Sequence, residues 1–111
     1  MTGWTQLEGA PDAIGSEGGR IRVDEEHPLG ARITLEEGGT IAPWSITCGV
    51  YGWMMHTVFC SSEIEGRETY QGMKAGLDAI MDMIPRNDDL DAEAQTEAVA
   101  DAIQVFVARF P

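Results

Sequence analysis

The sequence predicts an α+β fold: a four-stranded antiparallel meander sheet followed by two C-terminal α-helices packed on one of its faces. Two observations carry this prediction. Four short segments rich in β-branched and aromatic residues, separated by Gly or Pro breaks, occupy residues 20–60. Two longer segments with apolar residues at helical spacing occupy the rest of the chain. Strands followed by helices are typical of an α+β fold.

The four predicted strands follow one another with short breaks. The first two alternate polar and apolar residues, as half-buried strands do. A Gly38-Gly39 pair supplies the positive φ of a tight hairpin turn, and a second turn is predicted at Tyr51-Gly52. The predicted strands are residues 20–24, 31–36, 41–50 and 53–60.

Two helices are predicted to close the chain. Ser62 and Glu65 form a capping box at the start of the first helix, which runs to Ile84 and stops before Pro85. Asp91 is the predicted cap of the second helix. The apolar stripes are Tyr70, Met73, Leu77, Ile80, Met81 and Ile84 on the first helix and Val99, Ala102, Ile103, Phe106 and Phe110 on the second.

The 111 residues predict one domain. Residues 1–18, rich in Gly, Ala and Asp, are expected to form an irregular N-terminal arm anchored by Trp4, Leu7 and Ile14. Residues 19–111 are expected to form the single α+β domain.

The chain is strongly acidic, with 19 Asp and Glu residues against 7 Lys and Arg residues and a formal net charge of −12. Because no basic stripe is present, this charge argues against nucleic-acid binding and against an anionic membrane surface. It favours either a solvated surface or a basic protein partner. The carboxylate pairs Glu25-Glu26, Glu36-Glu37 and Asp88-Asp89 stand beside turns and are predicted to be solvated.

Two cysteines without a Cys-x-x-Cys pair, and no segment typical of a signal peptide or membrane span, predict a cytoplasmic protein. Cys48, His56 and Cys60 match no standard zinc spacing, so no metal and no cofactor is predicted. The predicted alternation of side chains also places Cys48 on the face of the sheet that carries the helices and His56 and Cys60 on the other face. This argues against a disulfide between the two cysteines.

The turn positions predict which side chains share a face of the sheet. Centring the Tyr51-Gly52 turn pairs Val50 with Trp53 and Thr47 with His56. The mixed face away from the helices then carries the candidate ligand-binding or interface residues, which are Arg32, Ser45, Thr47, Met54, His56 and Val58. The Thr47–His56 pair lacks a third catalytic member, so a cross-strand hydrogen bond is the simpler interpretation, and no catalytic residue is predicted.

Three function hypotheses follow. The first is a non-enzymatic interaction domain that forms a homodimer through the open sheet face around Met54, His56 and Val58. The second is an acidic inhibitor or immunity-type protein that binds a basic partner, supported by size and net charge. The third is a small ligand-binding domain or enzyme that uses the face with His56, Thr47, Ser45 and Arg32.

Overall fold

The computed structural model describes residues 3–7, 13–84 and 92–111. It contains a five-stranded antiparallel sheet with strand order β1-β2-β3-β4-β5, followed by two helices. The predicted α+β fold is therefore confirmed, with one strand more than predicted. The elements are β1 (Thr5–Gln6), β2 (Arg20–His27), β3 (Ala31–Glu37), β4 (Trp44–Val50), β5 (Met54–Cys60), α1 (Glu63–Met83) and α2 (Ala92–Arg109).

The additional strand comes from the segment predicted to be an irregular arm. Thr5 and Gln6 pair with Glu26 and Glu25 at the β2 edge. Trp4, next to this strand, is half-buried, and its indole Nε1 donates to Asp78 Oδ1 of α1 at 2.8 Å. The predicted anchoring by Trp4 is thus confirmed, and two backbone positions extend the sheet.

The β3–β4 hairpin has the predicted side-chain parity but a longer loop. Leu35 pairs with Ile46 instead of Ala42, and the Gly38 amide donates to the Pro43 carbonyl oxygen at 2.7 Å across the loop. Gly38 has φ 79°, so a single glycine supplies the left-handed turn position. Since the register moves by an even number of residues, the same side chains stay on each face.

The β4–β5 hairpin differs from the prediction in a way that changes the faces. Val50 pairs with Met54, so the loop has three residues, 51–53, and the Trp53 amide donates to the Val50 carbonyl oxygen. Gly52 has φ 83°, the left-handed position of a three-residue hairpin. The extra loop residue shifts the register by one, which turns every β5 side chain to the face opposite to the predicted one.

Helix α1 begins and ends as predicted. The Ser62 hydroxyl accepts from the Glu65 amide at 3.2 Å, while the Glu65 carboxylate accepts from the Ser61 hydroxyl. The buried stripe of α1 contains five of the six predicted residues together with Gly66, while the sixth, Ile84, is half-buried at the C-cap. For α2, Val99, Phe106 and Phe110 are buried as predicted. The predicted cap Asp91 and the predicted 85–89 loop lie outside the described residues.

The core lies between the sheet and the two helices. Ile33, Leu35, Ile46 and Cys48 of the central strands are fully buried there. On α1, three glycines allow close approach of other elements: a Cβ at Gly66 would lie 3.3 Å from the Trp44 Cβ, and Gly72 and Gly76 face the rings of Phe110 and Phe106. No described helix has the length and apolar character needed to cross a membrane.

Candidate functional site

We use the term open face for the side of the sheet that the helices leave uncovered, and helix face for the opposite side. The register places Arg32 beside Gly49, Thr34 beside Thr47, and Glu36 beside Ser45 on neighbouring strands. The open-face side chains of the three strands β3, β4 and β5 are Arg32, Thr34, Glu36, Ser45, Thr47, Met55, Thr57 and Phe59. The predicted open-face positions of Arg32, Ser45 and Thr47 are therefore correct.

The predicted open-face positions on β5 are wrong, because of the extra residue in the 51–53 loop. Met54, His56 and Val58 pair with Val50, Cys48 and Ile46 and share the helix face with them. Val58 is only 6% exposed and belongs to the core.

His56 has a structural contact instead of the predicted one with Thr47. Its Nε2 donates to the Phe110 carbonyl oxygen at the end of α2, and its ring stacks edge-on against Phe106. Thr47 lies opposite Thr57, with the two hydroxyl oxygens 3.3 Å apart. The hydroxyl–imidazole pair considered from the sequence is thus not formed.

The Arg32 guanidinium is held by a carboxylate on the same face. Its Nε and Nη2 donate to the two Asp24 oxygens at 2.9 and 2.6 Å, and the Thr34 hydroxyl donates to Asp24 Oδ1. These bidentate hydrogen bonds to Asp24 raise the pKa of Arg32, while burial opposes the rise. The positive charge of Arg32 is therefore compensated within the protein.

A cleft of about 380 Å³ lies on the open face, between the sheet and the segment 13–19, which we call the arm segment. Ile14, Ile21, Tyr51 and Met55 contribute apolar surface to it, and Arg32, Thr34, Glu36 and Thr47 contribute polar groups. Its volume and its mixture of apolar walls with a few polar groups are typical of small-ligand sites.

Glu36 is fully buried beside this cleft, contrary to the prediction that it is solvated. Its Oε1 accepts from the backbone amides of Glu17 and Gly19 at 3.2 and 3.1 Å. The backbone of Gly15 lies directly against the carboxylate, since a Cβ built there would be 2.3 Å from Glu36 Cδ. The arm segment therefore folds over this one side chain.

Two buried polar atoms, one on β3 and one on β4, lie at this position. Within the described part of the chain, neither Glu36 Oε2 nor Ser45 Oγ has a hydrogen-bond partner. Because the two residues are directly opposed on β3 and β4, both atoms belong to one region of the open face. Buried polar groups are normally paired, so each such atom calls for an explanation.

The cysteines and His56 share the helix face, so the parity argument used against their association was wrong. Both thiols are nevertheless free and buried. Burial raises the pKa of Cys48 to about 12 and also raises the pKa of Cys60. Among the residues that the structure describes, no three His, Cys, Asp or Glu side chains are grouped so as to hold a metal.

A polar cluster on the helix face contradicts the prediction that Glu25 is solvated, because the Glu25 side chain is only 14% exposed. Lys74 Nζ and the Tyr70 hydroxyl donate to the two oxygens of Glu25 at 2.8 and 2.6 Å, and Lys74 lies over the Trp4 ring. Burial alone would raise the pKa of Glu25, but the hydrogen bonds from Lys74 and Tyr70 outweigh it and the net pKa is lowered. Burial and the neighbouring Glu25 raise the pKa of Tyr70. The cluster therefore ties α1 to β2.

Strand β5 forms one edge of the sheet, and it carries no formal charge. Between Glu37 and Glu63 the chain has no Asp, Glu, Lys or Arg, although it is strongly acidic elsewhere. No other described strand pairs with β5 on its outer side. This charge-free stretch is visible in the sequence, but no unusual edge was predicted from it.

No protein-family model, curated protein or solved structure matches this chain.

Proposed function

We propose that the protein is a non-enzymatic interaction domain that self-associates by antiparallel pairing of its β5 edge with the β5 edge of a second copy. The two sheets then form one continuous ten-stranded sheet. This retains the homodimer hypothesis but moves the interface from Met54, His56 and Val58 to the outer edge of the same strand. The observation that carries it is an edge strand that contains no formal charge, no proline and no bulge.

An edge strand presents unpaired backbone amides and carbonyls to any strand that can align with them. Natural proteins block such edges with charged residues, prolines or bulges. Strand β5 has the sequence MMHTVFC, which contains no proline and no formal charge, and it pairs with β4 over all seven residues without a bulge. Its outer side therefore suits pairing with another strand.

The β5 sequence is complementary to itself. In an antiparallel pair with its two-fold axis at Thr57, Met55 of each copy lies opposite Phe59 of the other. These side chains are 81% and 41% exposed on the open face. Self-pairing would cover both of them in two equivalent contacts, and it would satisfy the edge hydrogen bonds at the same time.

Net charge distinguishes this proposal from the acidic-inhibitor hypothesis. Two copies with a charge of −12 repel each other, and a charge-free edge lets them meet away from their acidic groups. Added salt screens this repulsion, so self-association strengthens as ionic strength rises. Binding to a basic partner would weaken under the same change.

The test is sedimentation velocity at high micromolar concentration, at low and high salt. We expect a dimer that becomes more populated with salt, and a monomer for Met55→Lys, which places a charge at the edge. Ile64→Lys is the matched control, because Ile64 is a comparably exposed apolar residue on α1, at 72%. A monomeric parent at both salt concentrations, or dissociation by both substitutions alike, would contradict the proposal.

A further inference from the structure

The cleft on the open face shares Met55 with the proposed self-association, but that association does not use the polar groups of the cleft. It holds about 380 Å³, which accommodates a small organic molecule. Its walls are partly apolar, through Ile21, Tyr51 and Met55, and its polar groups lie on β3 and β4. These groups together determine which chemical class of ligand the cleft fits.

The two unpaired atoms in this region, Glu36 Oε2 and Ser45 Oγ, can both accept a hydrogen bond from a donor. Glu36 Oε1 already accepts two backbone amides, whereas Oε2 accepts nothing within the described chain. The Ser45 hydroxyl beside it is also unpaired, and it can accept a hydrogen bond as well as donate one. Of the two residues, Glu36 lines the cleft, so a ligand with N–H donors would satisfy its Oε2 atom.

The charge of the cleft favours a cationic ligand. The Arg32 charge is compensated by Asp24 through two hydrogen bonds, so it does not neutralise Glu36. The two contacts to Glu36 Oε1 are neutral backbone amides. The Glu36 carboxylate is therefore the uncompensated charge among the described cleft residues, and charge-assisted hydrogen bonds to a cation are stronger than neutral ones.

A metal ion fits this site less well than an organic cation. Hard cations such as Ca²⁺ need six or more oxygen ligands, commonly from several carboxylates. In the described part of the chain there is no group of three metal-ligating side chains. An ammonium group needs only three acceptors, and its organic part would contact the apolar walls.

We propose that the cleft binds a small organic ammonium ion, with its ammonium group at the Glu36 carboxylate and its apolar part against Ile21, Tyr51 and Met55. The arm segment is the cover of this site. Gly15 lies on the carboxylate without a side chain, and Ser16 Oγ is 3.5 Å from Thr47 Oγ1 across the cleft. The ammonium group reaches Glu36 Oε2 when residues 14–16 move away from the sheet.

The test uses three probes of matched shape: isopentylammonium, the neutral isopentanol and the anionic isovalerate. Each is titrated into ¹⁵N-labelled protein, with potassium chloride as a control for a bare cation. We expect saturable shifts of the Gly15, Glu17 and Gly49 amides with isopentylammonium only. This comparison is made on the parent protein, so it does not depend on any variant folding.

The Glu36→Gln variant tests the role of the carboxylate. It removes the charge at nearly constant shape, and we expect binding of isopentylammonium to weaken at least about tenfold. Glu37→Gln is the matched control, because Glu37 is the next residue, points to the other side of β3 and pairs with Arg22. Equal binding of the alcohol, an equal response to potassium chloride, absence of saturable shifts, or unchanged binding in Glu36→Gln would each overturn the proposal. Self-association contacts Met55 of the cleft wall but not Glu36, so the Glu36→Gln comparison tests the ligand site separately from the dimer.

Discussion

The contact between Gly15 and Glu36 makes the Gly15→Ala substitution an informative perturbation. A Cβ at residue 15 would lie 2.3 Å from Glu36 Cδ and 2.5 Å from Oε2. Ordinary carbon contacts occur at about 3.5–4.0 Å, so the arm segment must move by about 1 Å or more. The Glu36 side chain is fully buried and has little room to move in its place.

The expected loss in the free energy of unfolding follows from the hydrogen bonds that this movement breaks. The Glu17 and Gly19 amides lie 3.2 and 3.1 Å from Glu36 Oε1, so a further 1 Å takes both beyond hydrogen-bond range. Hydrogen bonds to charged groups contribute about 1.5–3 kcal/mol each. Because water reaches the carboxylate once the arm segment lifts, we expect a net loss of about 1–3 kcal/mol in the free energy of unfolding.

The assay is urea unfolding followed by tryptophan fluorescence, since Trp44 is buried in the core. Amide hydrogen exchange gives a second readout, in which the Glu17 and Gly19 amides should exchange faster in Gly15→Ala than in the parent. Ser16→Ala is the neighbouring control, with an expected change within about 0.5 kcal/mol. Parent-like stability together with parent-like protection of these two amides would refute the described packing of the arm segment.

Two further predictions concern titratable groups. The pKa of Glu25 is lowered in the folded protein, so its contribution to stability is present above about pH 4.5 and is lost as the pH falls through the folded pKa. The Glu25→Gln variant lacks this contribution. Its melting temperature should therefore fall less steeply in acid than that of the parent or of the control Glu26→Gln. Burial raises the pKa of Cys48 to about 12, so its thiol should resist iodoacetamide at mildly alkaline pH in the folded protein and react after unfolding. Mass spectrometry of the labelled protein is the measurement. Modification of Cys48 in the folded protein would contradict this prediction.

Much of the architecture was predictable because it depends on local signals. The Ser62 cap, the α1 stripe and the end of the helix before Pro85 follow from patterns within a few residues of each other. The parity of β3 and β4 also followed, because the longer loop after Gly38 moved the register by an even number of residues.

The β5 faces were not predictable from the same reasoning. A two-residue turn and a three-residue turn both fit Tyr51-Gly52, and the choice between them reverses every side chain of the strand. That reversal removed His56 from the candidate site.

The burial of Glu36 was missed for a different reason. Alternation correctly put it on the face away from the helices, but the path of the arm segment over it depends on long-range contacts that no local pattern encodes. Its carboxylate accepts amides more than fifteen residues away in the chain. A site built in this way is visible only once the fold is known.

The glycines of α1 have a consequence for how the protein unfolds. Gly66, Gly72 and Gly76 each lower the intrinsic stability of a helix by about 1 kcal/mol relative to alanine. The isolated segment is therefore a poor helix, and its order depends on Trp44, Phe106 and Phe110, which pack where the side chains are missing. Without contacts to the sheet or to α2, the isolated α1 segment is not stable as a helix. Secondary and tertiary structure are therefore expected to be lost together, and the domain is expected to melt as one cooperative unit.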